Sequence, residues 1–297
     1  IVVIVACASR QMTVRAVTDI ITEGLVAYES DEDLDLLGKA FPAHIKLLET
    51  MLVSDPHNQQ LLVLLARAYG SYAFVFFEGR IDAGQLKTIP TAADRAHTKE
   101  LIEIASGYYR KGADYALRAL EVRYPDCRRQ LGATETAEQF IQTLEIKDLP
   151  ALFWYGYNLS AEINLNRESI GAMAGAHRVE KTMQRAIELD ESYYHGLAHL
   201  VLFGYYAARS PLVGGNPALA LEHYRRLKQL HGDTLKLTDF YYARYYLYNR
   251  QDREGFTEVL KRVLSQPSKE EKFRLFNTVA MDRARIYLNA ADRLFID

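Results

Sequence analysis

Apolar side chains recur every three or four positions through most of this chain, and no run shows the sustained period-two alternation of a half-buried strand. Val14, Val17, Ile21, Leu25 and Tyr28 form one such stripe and predict a helix over residues 13–28. Asp33 or Asp35 offers a side-chain oxygen to cap the next helix, which runs to about Val53. Ser54-Asp55-Pro56-His57-Asn58 then stops one helix and starts another.

The stretch that follows carries a repeat signature. Counting from Gln59 as position 1, Leu62, Leu65, Ala66 and Tyr69 fall at positions 4, 7, 8 and 11. A tetratricopeptide first helix has large, large, small and Tyr there. Looser matches lie downstream. Gly112, Ala116 and Ala119 precede Pro125; Met183 and Ala186 precede Asp190-Glu191, with Glu191 where the unit-closing Pro belongs. Ala220, Tyr224 and Leu227 fit a second helix, and Ala243, Tyr246 and Gly255 suggest a further pair. Residues 78–90 read as a loop and 94–124 as an unusually long second helix. The expectation is an all-α fold, a TPR-like helix-pair solenoid or bundle with degenerate repeats and extra flanking helices. A generic bundle with chance matches is the alternative.

Composition agrees. Among 297 residues there are only 8 Pro and 17 Gly, which favours long helices over many-turned β architecture. Lys+Arg is 36 against Asp+Glu 38, a balance that argues against nucleic-acid binding as the main business. No run reaches the ~18 apolar residues of a membrane-spanning helix. The unusual feature is 20 Tyr against one Trp, with adjacent pairs at Tyr108-Tyr109, Tyr193-Tyr194, Tyr205-Tyr206, Tyr241-Tyr242 and Tyr245-Tyr246.

The chain opens Ile1-Val2-Val3-Ile4-Val5-Ala6-Cys7-Ala8-Ser9. An apolar run, a small residue, then Cys resembles the bacterial lipobox, whose cysteine thiol is acylated. Two or three acyl chains at ~0.8 kcal/mol per buried methylene hold a protein stably at a membrane. On this reading residues 1–7 are the end of a lipoprotein signal and 8–297 a single helical domain. A buried strand or helix turn with an incidental Cys7, or a Cys7–Cys127 bridge, are the alternatives.

Enzyme motifs are scarce. There is no phosphate-binding G-x-x-x-x-G-K-S/T loop, no G-x-G-x-x-G and no G-x-S-x-G nucleophile elbow. Pro211, Gly214 and Gly215 lie in a loop that is either an anion nest or, better, a tight inter-helix connection with Asn216 capping a helix from Pro217. His195 and His199 have metal-ligand spacing, but H-E-x-x-H and a third ligand are missing. The expectation is therefore a non-enzyme without metal or cofactor.

The tyrosines are the better lead, because each presents a flat apolar body with one polar tip. Adjacent pairs on a helix point about 100° apart, so one ring packs in the core while its neighbour faces a groove. In a helix-pair solenoid, positions 2, 5, 9, 12 and 13 of each first helix face inward. That puts Val63 and Arg67, Phe153 and Tyr157, His195, Leu202, Tyr205 and Tyr206, and Phe240, Arg244 and Tyr248 along a groove. Arg67, Arg209 and Arg244 are the candidates to meet a ligand carboxylate by bidentate hydrogen bonding.

Several of these features occur in one order: the Cys7 lipobox, the Asp55-Pro56…Leu62…Leu65-Ala66…Tyr69 repeat, and Tyr115-Ala116-Leu117-Arg118-Ala119-Leu120 within a long helix. Ser210-Pro211-x-x-Gly214-Gly215-Asn216-x-x-x-Ala220 and Arg283-Ala284-Arg285-x-x-Leu288…Asp292-x-Leu294-Phe295 follow. Together they resemble the T component associated with tripartite ATP-independent periplasmic (TRAP) transporters. The resemblance implies a non-catalytic helical lipoprotein of the bacterial envelope, lipid-anchored and facing the periplasm. It implies cryptic tetratricopeptide repeats, a homotrimer and a cleft or pore in each protomer. It also implies a periplasmic solute-binding (P component) partner and a small hydrophobic or carboxylate ligand. A scaffold that assembles envelope proteins without a small-molecule site is the competing expectation.

Overall fold

The computed structural model describes residues 2–167, 169, 171, 175–265 and 270–295, and side chains from Ser9 onward. Every regular element among the described residues is helical. The stripe over 13–28 is split into α1 (Val2–Glu23) and α2 (Val26–Glu29). The break falls at Gly24, a costly residue in a helix interior. Cys7 is on the α1 backbone; its side chain lies outside the described residues. Cys127 is free and fully buried, so no Cys7–Cys127 bridge forms. Burial pushes the Cys127 thiol up to about 11.

In α3 (Leu34–Ser54) the Asp33 carboxylate accepts from the Leu36 amide at 2.9 Å, and Leu37, Phe41, Ile45, Leu48 and Leu52 form the buried stripe. Asn58 caps α4 (Gln59–Ala73) in the same way, through the Leu61 amide at 3.0 Å. The helix then continues through a π turn at Phe74–Glu78 into α5 (Gly79–Gln85). This corrects the first part of the loop expected over 78–90, for residues 78–85 are helical and only 86–90 form the connection. Glu78 and Asp82 break the apolar pattern, yet both pair with Arg283, some two hundred positions away. Gln59–Gln85 is long and apolar enough by composition to cross a membrane, but two thirds of its most apolar stretch is buried inside the protein.

The long helix is α6 (Ala92–Glu121), opened by a reciprocal Thr91–Asp94 capping box. Then come α7 (Cys127–Gly132), α8 (Thr134–Thr143), α9 (Leu149–Leu165), α10 (Ala176–Asp190) and α11 (Tyr193–Ala207). Next are α12 (Pro217–His231), α13 (Lys236–Tyr241) with a π turn at Tyr242–Leu247, α14 (Arg253–Ser265), α15 (Arg274–Asn289) and α16 (Ala291–Leu294). Asn216 caps α12 as its sequence context predicts, accepting from the Ala218 and Leu219 amides.

Packing follows chain order: α4 on α6, α6 on α9, α9 on α10, α10 on α11 and α11 on α12. The row then turns back, for α15 packs on α13 and α14 and also on α5 and α2. The last long helix therefore meets the first ones, and one main core runs from Val14 to Phe295. Three helices approach closely at Asn158 of α9. A Cβ on Gly70 of α4 or Gly112 of α6 would stand 2.4 or 2.6 Å from its side-chain oxygen. The Asn158 amide donates to the Ala66 carbonyl at 3.1 Å and the Trp154 carbonyl at 2.7 Å, holding the junction.

Candidate functional site

The helix faces turned toward the interior line a partly open cavity. The faces follow helical spacing. From α4 and its π turn come Leu64, Arg67, Ser71, Phe74 and Glu78; from α9, Trp154, Tyr157, Ala161 and Asn164. Tyr194, Leu197, Leu200 and Gly204 of α11, and Leu237, Tyr241, Arg244 and Tyr245 around α13, close the other side. Leu25, just before α2, and Tyr28 and Glu29 of α2 lie at one edge, and Leu275 and Phe276 of α15 at another. The walls are mainly aromatic and aliphatic with a few convergent polar groups, the usual make-up of a small-molecule site.

A second, more polar cavity shares a wall with the first. Glu78, Asn164, Leu165, Arg244 and Tyr245 line both, while Asp82, Arg167, Tyr248 and Tyr287 line only the second. Behind the wall is a buried ionic cluster. Arg283 Nε stands 2.7 Å from Asp82 Oδ2 and Nη1 2.8 Å from Glu78 Oε2. Arg244 Nη2 is 3.0 Å from Asp82 Oδ1. Tyr109 donates to Glu78 at 2.6 Å and Tyr287 to Asp82 at 3.1 Å. Burial works against both arginine charges, but Asp82 together with the neighbouring tyrosines, and Glu78 for Arg283, outweighs it and holds both guanidiniums protonated. Burial, then Glu78, pushes the Tyr109 hydroxyl well above its usual range, so it remains a donor.

Arg67 is held at the opposite edge. Its Nη2 is 2.6 Å from Glu29 Oε1, and its Cζ is 4.8 Å from the centre of the Tyr194 ring. Glu29 also lies 3.7 Å from His195 Nε2. Tyr194, His195 and Gly196 are three consecutive left-handed residues, with φ of 45°, 60° and 65°. Such backbone costs of order 1 kcal/mol or more at each non-glycine position and persists only when neighbours over-determine it. Here the His195 carbonyl pairs with His231 Nε2 at 2.8 Å, and the Tyr194 ring packs on Trp154, Phe153 and Phe276.

Among the groove residues expected from sequence, Arg67, Tyr157 and Arg244 line the first cavity, and Arg244 and Tyr248 the second. The others do not. Phe153, Leu202 and Phe240 are fully buried core, and Val63 is half-buried against it. The cavity takes the next residue along in each of three helices, Leu64 for Val63, Trp154 for Phe153 and Tyr241 for Phe240. Because Arg67, Tyr157 and Arg244 of the template stay on the wall, the inward face of these helices is turned by only part of the 100° that one residue spans. In α11 the shift runs the other way, Tyr194 for His195 and Gly204 for Tyr205, beyond the left-handed turn.

Tyr205 and Tyr206 instead meet Glu180, with the Tyr206 hydroxyl 2.7 Å from its carboxylate. Arg209 donates to the Tyr205 carbonyl at 2.9 Å and stacks over the same ring. The loop residues Pro211, Gly214 and Gly215 stand beside Tyr205 and Arg209, away from the cavity. The two glycine amides are spent inside the loop, Gly215 on the Ser210 carbonyl and Gly214 on that of Pro211, so no anion nest forms. Gly214 has φ 89°, and a Cβ on Gly215 would stand 1.9 Å from the Arg209 carbonyl oxygen, so both positions require glycine. His195 and His199 diverge: His199 pairs with His223 at 2.7 Å and Glu191 at 3.0 Å. No three His, Cys, Asp or Glu side chains among the described residues are placed to hold a metal ion.

The tyrosine pairs divide as their 100° offset predicts in three cases. Tyr194, Tyr241 and Tyr245 line the first cavity, while Tyr193, Tyr242 and Tyr246 pack elsewhere, Tyr242 stacking on Tyr224 and Tyr246. Sequence reasoning missed Trp154, Asn164, Glu78 and Arg167; continuing the three-four spacing from Arg67 and Tyr157 reaches the first three.

A family model described as TRAP transporter T-component matches residues 30–295, nearly the whole chain. The chain belongs to the TRAP transporter T-component family. This T component is also 26% identical over 276 residues to an uncharacterised protein of Treponema pallidum (strain Nichols), covering 91% of this chain and 83% of that protein. Membership makes it an accessory component of TRAP transport. The closed row of helices is the frame in which the T component presents its two cavities.

Proposed function

We propose that this T component receives a small ligand with an apolar body in the first cavity and docks the periplasmic solute-binding (P) component of its transport system. The observation that carries the reading is the chain of aromatic faces from four successive inner helices around one enclosed space, with charged groups confined to its two ends. Enclosed apolar walls with few polar points favour a largely hydrophobic ligand. In this reading Cys7 carries the lipid anchor, the protein faces the periplasm as a homotrimer, and no bond is made or broken.

The test is mass spectrometry of small molecules retained on the purified protein, before and after Ala161→Trp, which fills the cavity. An apolar molecule present in the first case and absent in the second supports the reading; no retained or added apolar ligand in either overturns it. For docking, a solute-binding protein co-purifies and cross-links from the same extract; failure to do so removes that part. Cys7→Ser releases the protein from membranes if the anchor is there.

The scaffold reading has one observation in its favour. Leu212 is 96% exposed on the Pro211–Val213 turn, with exposed Val213 beside it. Loss of partner capture on Leu212→Asp, with ligand retention unchanged, would favour it.

A further inference from the structure

The wall between the two cavities carries more positive charge than its own carboxylates use. Glu78 and Asp82 are matched by Arg283 and Arg244. A third guanidinium, Arg167, lines the second cavity with its Cζ 5.4 Å from the centre of the Tyr245 ring, on which Arg244 also stands at 5.0 Å. Arg167 is exposed and meets no carboxylate, which leaves one positive charge in excess among the described residues of the wall. Two donors in the wall are idle as well. Arg244 Nη1 is buried without a hydrogen-bond partner, its nearest carboxylate oxygen 3.9 Å away on Glu78. The Asn164 side chain lines both cavities and has no hydrogen-bond partner among the described residues. Asn164 is half-buried, whereas Arg244 Nη1 is a buried donor left unmade, which is costly, so the wall is complementary to an acceptor from outside the chain.

We infer that this wall is the head-group site for an amphipathic monocarboxylate. The Asn164 amide and Arg244 Nη1 donate to the carboxylate, Arg167 supplies the uncompensated charge from the second cavity, and the hydrocarbon chain lies along the aromatic faces of the first. One excess charge matches a monoanion and not a dianion. The inference rests on reading the first cavity as a ligand site, and it narrows the three arginines expected from sequence. Arg67 is occupied by Glu29, Arg209 stands outside both cavities, and Arg244 acts with Asn164 and Arg167, which the sequence did not single out.

The probes are dodecanoate, dodecanol and dodecyl phosphate, titrated against the fluorescence of Trp154, the chain's one tryptophan, which lines the first cavity. Dodecanoate binds roughly tenfold or more tighter than dodecanol, the scale of a charge-assisted hydrogen bond. Arg167→Gln and Asn164→Leu each remove most of that advantage, lowering dodecanoate affinity by a clearly larger factor than dodecanol affinity. Arg167 is exposed, so its variant folds, and matching circular dichroism and melting curves for both variants verify this. Equal binding of dodecanoate and dodecanol, or equal losses for both in the variants, overturns the head-group site while leaving the cavity as a ligand site. Tighter binding of dodecyl phosphate than of dodecanoate overturns the monoanion assignment. If neither dodecanoate nor dodecanol binds, the reading of the first cavity fails together with the inference.

Discussion

Arg283 Nε and Asp82 Oδ2 stand 2.7 Å apart, each side chain only 1% exposed, although 201 positions separate the two residues. Their pairing ties α15 to α5 and so closes the row of helices behind the cavity wall. Removing one member strands a buried charge, which costs roughly 3–5 kcal/mol. Arg283→Met is therefore expected to lower the urea unfolding free energy by that order. The double variant Arg283→Met, Asp82→Leu is expected to lose clearly less than the sum of its singles, because the stranded carboxylate is gone. Strict additivity in that cycle would show that the contact does not couple the two helices.

Two glycines of α6 make opposite predictions. Ala normally improves a helix interior over Gly by roughly 0.5–1 kcal/mol. At Gly107 a Cβ would meet nothing within 4 Å, so Gly107→Ala is expected to stabilise the protein by about that amount. At Gly112 a Cβ would press within 2.6–2.7 Å of the Asn158 amide, which holds α4 and α9 together. Gly112→Ala is expected to cost about 1–3 kcal/mol, the scale of overpacking. Denaturant melts of the two variants side by side check the prediction, and stabilisation by both would show that the junction is loosely packed.

The stability of the α11–α12 pair is expected to depend on pH between about 4 and 6.5. Burial, then the neighbouring His199, lowers His223 from 6.5 to about 4, and burial also lowers His199. Below 6.5 the unfolded chain binds protons that the folded pair refuses. Stability is therefore level above pH 6.5 and falls as the pH drops toward 4, by up to about 1.4 kcal/mol per unit for each such group. His223→Phe, whose ring keeps the face stacked on Tyr206, is expected to flatten that slope in urea titrations at successive pH values. An unchanged slope would assign it to other groups.

Filling the first cavity is expected to remove apolar ligand binding without unfolding the protein. Ala161 lies on the inward face of α9 between Tyr157 and Asn164. Ala161→Trp is expected to weaken binding of an apolar fluorescent dye by about tenfold or more, the effect of losing roughly 1.4 kcal/mol or more of contact. Its thermal midpoint is expected to remain within a few degrees of the parent. Undiminished dye binding would place the dye elsewhere on the surface.

Much of the helical framework follows from local rules, and those were legible. Asp33 and Asn216 stand at their caps because a short side-chain oxygen satisfies amides a few residues on, whatever the rest of the chain does. The inner positions Arg67, Tyr157 and Arg244 follow from the repeat's spacing for the same local reason. The helix across Glu78 and Asp82 was not legible, since their charges are tolerated only where Arg244 and Arg283 arrive from distant helices. Nor was the rotation of the inward face, because the angle at which a helix meets its neighbours is set by close packing at residues such as Gly70, Gly112 and Asn158. Local chemistry along the chain is enough to say where helices begin and which residues are apolar; which of those apolar faces enclose a space, and which charges guard it, follows only from folding, because burial and ion pairing depend on neighbours that chain order does not bring together.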